Sequence, residues 1–223
     1  ITKNIRLDYY KEIINLENVE YVLFAHHKDD IIENIFANAC RGRNLLDLIV
    51  FKQNTTINEV KINRPMLDNF KDRIYLFAKT YQVPYFKDTT PDWSVRGKYR
   101  NIIAPAIEDA FTQNVKANLL SLGQQSDEWG ELVHSQIIKP FLCNIMYNTT
   151  SVKFNIEKTV NHPLCFWTHV FMHLFYNYGY NCPSRRSIQN YMNNLSLNTC
   201  LNITITNNTR CRLKNNWITI EFI

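Results

Sequence analysis

The chain has 223 residues, 45% of them hydrophobic and 13% aromatic, which is enough apolar material for one large domain or for a medium domain with an appendage. Charged residues, at 20%, are too few for a disordered chain, and no apolar run approaches the length that spans a bilayer, so these residues are not expected to insert into a membrane. A formal charge of +5 suits a polyanionic partner without requiring one.

The chain enters at once on Arg6-Leu7-Asp8-Tyr9-Tyr10, the middle of an amphipathic helix, and its first residue is Ile1, so it is expected to be a fragment. Tyr21 to Ala25 is short, apolar and rich in β-formers, as a strand covered on both faces should be. A helix follows, with Ile31, Ile32, Ile35, Phe36 and Ala39 as its core stripe. Asp29, Asp30 and Glu33 lie within its first turns at i,i+3 and i,i+4 spacing and should share one wet surface. Three like charges so placed repel one another, and the helix dipole offsets only about 0.3–1 kcal/mol per acid. A divalent cation would relieve the rest, since Mg²⁺ sits on one or two carboxylates plus nucleotide phosphates. The same acids also fit an ordinary solvated first turn.

Gly42 can stop that helix, with Arg41 and Arg43 beside its C-terminal end and within reach of a ligand. Gln53 to Asn58 reads as a polar loop, and Val60 to Met66 as a strand ended by Pro65. Ile74, Phe77, Ala78 and Tyr81 mark a helix, and Val83 to Phe86 a short strand. Alternating strands and helices of these lengths predict an α/β fold, a Rossmann-like parallel sheet with flanking helices, whose ligands bind at the carboxyl ends of the strands. His26, Arg64 and Asp88 each fall just past such an end. The long polar stretch from Lys87 to Asn101 has the character of a working loop, and Pro105 then opens a helix.

A first domain over residues 1–112 and a smaller, mainly helical one over 113–223 are expected. In the second, Val115 to Val133 is helical with an interruption at Gly123, and Pro163 to Tyr178 is an apolar helix stopped by Gly179. Ser184 caps a third helix, with Arg185 and Arg186 at the end of the dipole that disfavours cations; they suit an anionic partner, or are simply tolerated in solvent. The tail reads as a small β-meander with Asn-rich turns. His169 and His173 are four apart, but no third ligand has metal-site spacing, so they read as structural. The six cysteines form no C-x-x-C pair and read as reduced thiols; with no secretion signal in these residues, a cytoplasmic location is expected.

Ala25-His26-x-x-Asp29-Asp30-x-x-Glu33-Asn34, then Arg41-Gly42, Arg64-Pro65-Met66-Leu67, Asp88 with Asp92, and Tyr99-Arg100-Asn101, in this order, resemble the tRNA(Ile)-lysidine synthetase family of PP-loop ATP pyrophosphatases. The likeness covers most of the first half and continues more faintly through Pro183 to Arg186 and the closing hairpin. It implies a PP-loop ATPase-type domain followed by a helical tRNA-binding region, with ATP and Mg²⁺ as cofactors, and an isoleucine tRNA and free lysine as partners. The implied reaction adenylates the wobble cytidine, then attaches lysine. The resemblance further implies catalytic roles for Asp29, Asp30 and Glu33, with magnesium on Asp29 and Asp30. It implies nucleotide contacts by His26 and Arg41, and substrate or tRNA contacts by Arg64, Asp88, Arg100, Asn101, Arg185 and Arg186. For Asn101 a plain helix cap is the competing role.

Three departures stand out. The S-G-G-x-D-S nucleotide loop is not in these residues, so the chain alone is expected to be inactive. Asn34 stands where the family has threonine, and Pro105 arrives without a second arginine before it. A PP-loop tRNA thiolase is the runner-up, weakened by the want of paired cysteines, and a non-catalytic RNA-binding remnant is the third reading. A homodimer is compatible with the sequence.

Overall fold

The computed structural model describes residues 2–86, 89–111, 114–197 and 200–223, without the side chains of 2–3, 196–197 and 200–203. Two compact units emerge, Ile1–Gly130 and Glu131–Ile223. Among the described residues no helix is long and apolar enough to cross a membrane.

The first unit is mixed α/β. Helix α1 (Thr2–Glu17) leads to β1 (Val22–Leu23), α2 (Lys28–Cys40), the hairpin β2 (Asn54–Ile57) and β3 (Val60–Asn63), and α3 (Lys71–Thr80). The sheet order is β1-β3-β2, with β1 parallel to β3 and β2 antiparallel to it. Its core is Leu7, Val60 and Ile62, flanked by Tyr10, Val22 and Phe24. Gln53 to Asn58 is thus not a loop but mostly strand. Asn58 and Glu59 both take positive φ (46° and 68°), the geometry of a two-residue hairpin turn that twists with its strands, and Glu in place of the usual Gly hides it in the sequence. Val83 to Phe86 adopts no strand, and Phe86 is 93% exposed. In α3 only Ala78 of the expected stripe is buried; Phe77 and Tyr81 lie outward.

From Val95 to Phe111 the chain is helical without a break. Helix α4 (Val95–Lys98) passes through a π-helical turn at Tyr99–Ile103 into α5 (Ala104–Phe111). Pro105 therefore does not open a helix. It has no N–H to give the carbonyl of Asn101, and its ring would crowd that oxygen, so the ladder widens by one residue and the Ala104 amide donates to Tyr99 O. The same device recurs at His134–Ile138, ahead of Pro140, where the Lys139 amide donates to His134 O.

Helix α6 (Val115–Val133) runs through Gly123 uninterrupted. A Cβ at Gly123 would lie 2.5 Å from Ile35 Cδ1 and 2.9 Å from Ile49 Cδ1, so the glycine allows close packing on α2 rather than ending a helix. Ser126, one turn on, donates from Oγ to Leu45 O at 2.6 Å and accepts from Leu48 N at 3.2 Å. These contacts hold most of α6 in the first unit, which accordingly divides from the second after Gly130 rather than near residue 112.

The second unit is built on a five-stranded antiparallel sheet in the order β4-β5-β8-β7-β6, comprising β4 (Met146–Tyr147), β5 (Ser151–Asn155), β6 (Cys200–Ile203), β7 (Thr209–Lys214) and β8 (Trp217–Phe222). The tail is the expected meander, its β7–β8 turn closed by Asn215 and Asn216 at positive φ; β4 and β5 enlarge it. Helices α7 (Lys139–Cys143), α8 (Leu164–Asn177) and α9 (Arg185–Leu197) supply Leu142, Trp167, Phe171, Phe175 and Ile188 to a core shared with Phe154, Ile218 and Ile220. Each such side chain is worth about 1.5–3 kcal/mol of burial.

Candidate active site

The site lies in the first unit, at the carboxyl end of β1 and the start of α2. His27 is the N-cap of α2, and its backbone N–H donates to Asp30 Oδ2 at 3.0 Å, so Asp30 folds back over the first turn. Asp30 and Glu33, expected on a wet surface, are instead buried, at 6% and 8% exposure. Two guanidinium groups from the 95–103 helical segment cover them. Arg96 donates from Nε to Glu33 Oε1 at 2.5 Å and from Nη2 to Asp30 Oδ1 at 2.6 Å. Arg100 donates from Nε to Glu33 Oε2 at 2.9 Å and from Nη2 to Asp30 Oδ1 at 2.9 Å. Two carboxylates thus meet two guanidinium groups in a closed quartet of charge-assisted hydrogen bonds, which offsets the cost of burying them.

Arg96 escaped the sequence reading. The signal was present: Arg96 and Arg100 are four apart after the capping Ser94, whose Oγ accepts from Gly97 N at 3.0 Å, so both face one way. Gly97 was missed as well. A Cβ there would stand 2.1 Å from Pro91 O, and only hydrogen lets this helix close on the 91–92 turn. Asn101 lies within the π turn, donating to Asp92 Oδ1 at 2.6 Å, and is not a helix cap. The Tyr99 ring packs at a tilt of 42° against Phe36, centroids 5.2 Å apart, and burial, helped by the nearby Glu33, pushes its hydroxyl up to about 12.

Asp29 diverges from its neighbour. Its Oδ2 accepts from Lys71 N at 2.8 Å, capping the exposed amides of α3, and its Oδ1 lies 3.8 Å from Lys116 Nζ. Asp29 and Asp30 thus take different amide and cationic partners, with the His27 ring between them, 3.7 Å from Asp29 Oδ2 and 3.4 Å from Asp30 Oδ2. Among the described residues no group of three or more His, Cys, Asp or Glu is placed to hold a metal ion.

His26 and Arg64 do meet, as their positions past β1 and β3 predict. Arg64 is buried at 3% exposure, its Nη1 donating to Lys52 O at 2.7 Å and Thr55 Oγ1 at 2.8 Å, and its Nε to His26 Nδ1 at 3.3 Å. The His26 ring stacks on Phe51 at 4.4 Å. Burial holds both His26 and His27 below the usual imidazole range, so they are neutral at pH 7. As an acceptor at Nδ1, neutral His26 carries its proton on Nε2. Arg41 is exposed at the C-terminal end of α2, which Gly42 terminates at φ 67°. Asp88 lies outside the described residues. Arg185 and Arg186 belong to the second unit, exposed on the first turn of α9, where Ser184 Oγ accepts from Ser187 N at 3.1 Å.

Residues 1–107 match the family model described as a PP-loop domain. A tRNA(Ile)-lysidine synthase from Staphylococcus aureus is 31% identical over 142 residues, covering 61% of this chain and 33% of that protein. One from Chlamydia abortus is 27% identical over 189 residues, covering 84% of this chain and 59% of that protein. Among solved structures, the U34-tRNA thiolase NcsA from Methanococcus maripaludis aligns with 58% of this chain and 43% of that chain, at 18% identity and a TM-score of 0.42. Over its first half the chain is thus similar to PP-loop proteins, and over longer stretches to tRNA(Ile)-lysidine synthases. It spans between a third and about three fifths of the length of these synthases.

Proposed function

We propose that the protein modifies tRNA at the cost of ATP, attaching free lysine to the wobble cytidine of an isoleucine tRNA. In the first step the cytidine C2 oxygen attacks the α-phosphorus of ATP and pyrophosphate leaves. In the second the lysine amine attacks C2, loses a proton, and AMP departs with the oxygen. ATP supplies the activation of an otherwise poor leaving group.

The observation that carries this proposal is the buried Asp30–Glu33 pair held by two cations. A pair of carboxylates already held by guanidinium groups is chemically suited to an alkylammonium ion, which takes the same hydrogen bonds. Arg96, 53% exposed, is the partner that an incoming lysine ammonium displaces most readily; Arg100, 28% exposed, stays and keeps the site from carrying excess negative charge. Arg41 faces the lysine carboxylate or a phosphate. His26 contacts the nucleotide through Nε2, and Arg64 acts as a positioning residue that fixes the ring. Asp88, Asn101, Arg185 and Arg186 are assigned to substrate and tRNA contact. Asp29 has a supporting role at α3, and no magnesium ligation is assigned to it or to Asp30.

The experiment is ATP-dependent incorporation of labelled lysine into an isoleucine tRNA transcript by the full-length protein and its Glu33→Gln variant. Glu33→Gln keeps the shape but removes the charge, and incorporation should fall at least about a hundredfold with the circular dichroism spectrum unchanged. Undiminished incorporation by a folded Glu33→Gln protein removes the acid pair from lysine recognition.

A further inference from the structure

The chain's formal charge of +5 is not spread over both units. Residues 1–130 hold seventeen Lys and Arg against seventeen Asp and Glu, whereas residues 131–223 hold eight against three. The whole excess therefore belongs to the second unit. Half of its eight cations stand on one surface.

That surface is the open face of the five-stranded sheet. Along β7 burial alternates strictly: Cys211 and Leu213 point into the core, while Arg210, Arg212 and Lys214 point out. On β5 the outward residues are Ser151, Lys153 and Asn155, and on β8 Trp217, Thr219 and Glu221. Cross-strand pairing sets Lys153 and Arg212 on either side of Thr219, Arg210 beside Glu221, and Lys214 beside Trp217. Lys153 Nζ lies 5.1 Å from the centre of the Trp217 ring. Glu221 is the one acid on these three strands' outer face, 3.9 Å from Arg212, which keeps 61% of its side chain exposed.

Protection of a sheet edge by lysine and arginine does not account for this pattern, because β7 is an inner strand flanked by β6 and β8. Three cations at alternate positions of one strand, about 6.8 Å apart along it, repel one another, and Glu221 offsets only part of their charge. The remainder suits a partner that brings negative charge at regular intervals. We propose that this sheet face binds the sugar-phosphate backbone of RNA, with Arg210, Arg212, Lys214 and Lys153 on phosphates. The inference rests on the reading that the protein acts on tRNA, and adds the surface by which the second unit holds it.

The test is the affinity of the full-length protein for an unmodified tRNA transcript between 50 and 200 mM salt, compared with an Arg210→Gln/Arg212→Gln/Lys214→Gln variant and with Arg210→Lys/Arg212→Lys. Loss of three phosphate contacts should weaken binding at least about tenfold at low salt and flatten the slope of log K on log salt by about 2. The lysine variant keeps the charge and should keep the slope, which separates a binding effect from misfolding. An unchanged slope in a folded triple-Gln variant, with the parent protein binding tRNA, overturns the sheet-face assignment and leaves the proposed function standing. Absence of tRNA binding by the parent protein overturns both. Loss of binding to phosphatidylserine vesicles with tRNA binding intact overturns the assignment in favour of a membrane surface.

Discussion

Arg100 and Glu33, 67 positions apart in the chain, meet at 2.9 Å, and this bond ties the 95–103 helical segment to the first turns of α2. Arg96 makes the matching contact but is 53% exposed against 28% for Arg100. The two arginines should therefore differ in weight. Arg100→Ala leaves two buried carboxylates short of a partner and should cost toward the low end of the about 3–5 kcal/mol typical of breaking a buried pair. Arg96→Ala should cost no more than about 1 kcal/mol. Urea denaturation of the two variants checks this, and equal losses would contradict the asymmetry.

Gly97→Ala tests the close approach of the same segment to the 91–92 turn. The added methyl meets Pro91 O at 2.1 Å, a backbone atom with little room to move, so the helix start must back away. Destabilisation of about 1–3 kcal/mol is expected. Because the displaced helix carries Arg96 and Arg100, lysine incorporation should fall together with stability.

Acid sensitivity follows from the two histidines at the head of α2. Burial, the larger influence on both, holds His26 and His27 below their ordinary 6.5. As pH drops past 6.5 the unfolded chain takes up protons before the folded one does. Their contribution is therefore complete above about pH 6.5 and is lost as pH falls through the folded values. Thermal melts between pH 7.5 and 5 should show a falling midpoint, and His27→Gln should flatten the fall. A midpoint that rises on acidification would contradict the neutral assignment.

Much of this was legible in the sequence, because its signals are local. The Gly42 and Gly179 stops, the Ser184 cap and the Asn215-Asn216 turn each depend on a few neighbouring residues, whereas the apolar run before His26 forms only the two-residue β1, with Leu23 63% exposed rather than covered on both faces. What escaped depends on contacts distant in sequence. The burial of Asp30 and Glu33 could not be read from α2 alone, since the covering arginines lie more than sixty residues on. Gly123 looks like a helix break until Ile35 and Ile49 are seen against it. Pro105 resembles a helix start because the π turn that accommodates it leaves no mark in composition. The β2–β3 hairpin was hidden by a turn that uses Asn58 and Glu59 rather than glycine.

Thiol chemistry offers a check on the second unit's core. Burial pushes the Cys211 thiol up to about 12, beside the buried Tyr191, while Cys40, Cys143, Cys165 and Cys182 are exposed. Alkylation of the native protein at pH 8 followed by peptide mapping should label those four and spare Cys211. Rapid native labelling at Cys211 would show that the sheet and helices do not pack as described.

Under the proposed function the Asp30–Glu33 pair takes up lysine for transfer to tRNA. Its most direct test is a competition measurement on the full-length protein: saturable, ATP-dependent transfer of radiolabelled lysine to isoleucine tRNA, with arginine and norleucine as rival amino acids. Lysine should be transferred and norleucine, which lacks the ammonium, should neither react nor compete. Transfer that is indifferent to the ammonium group, or sulfur appearing on the tRNA in place of lysine, would contradict the account.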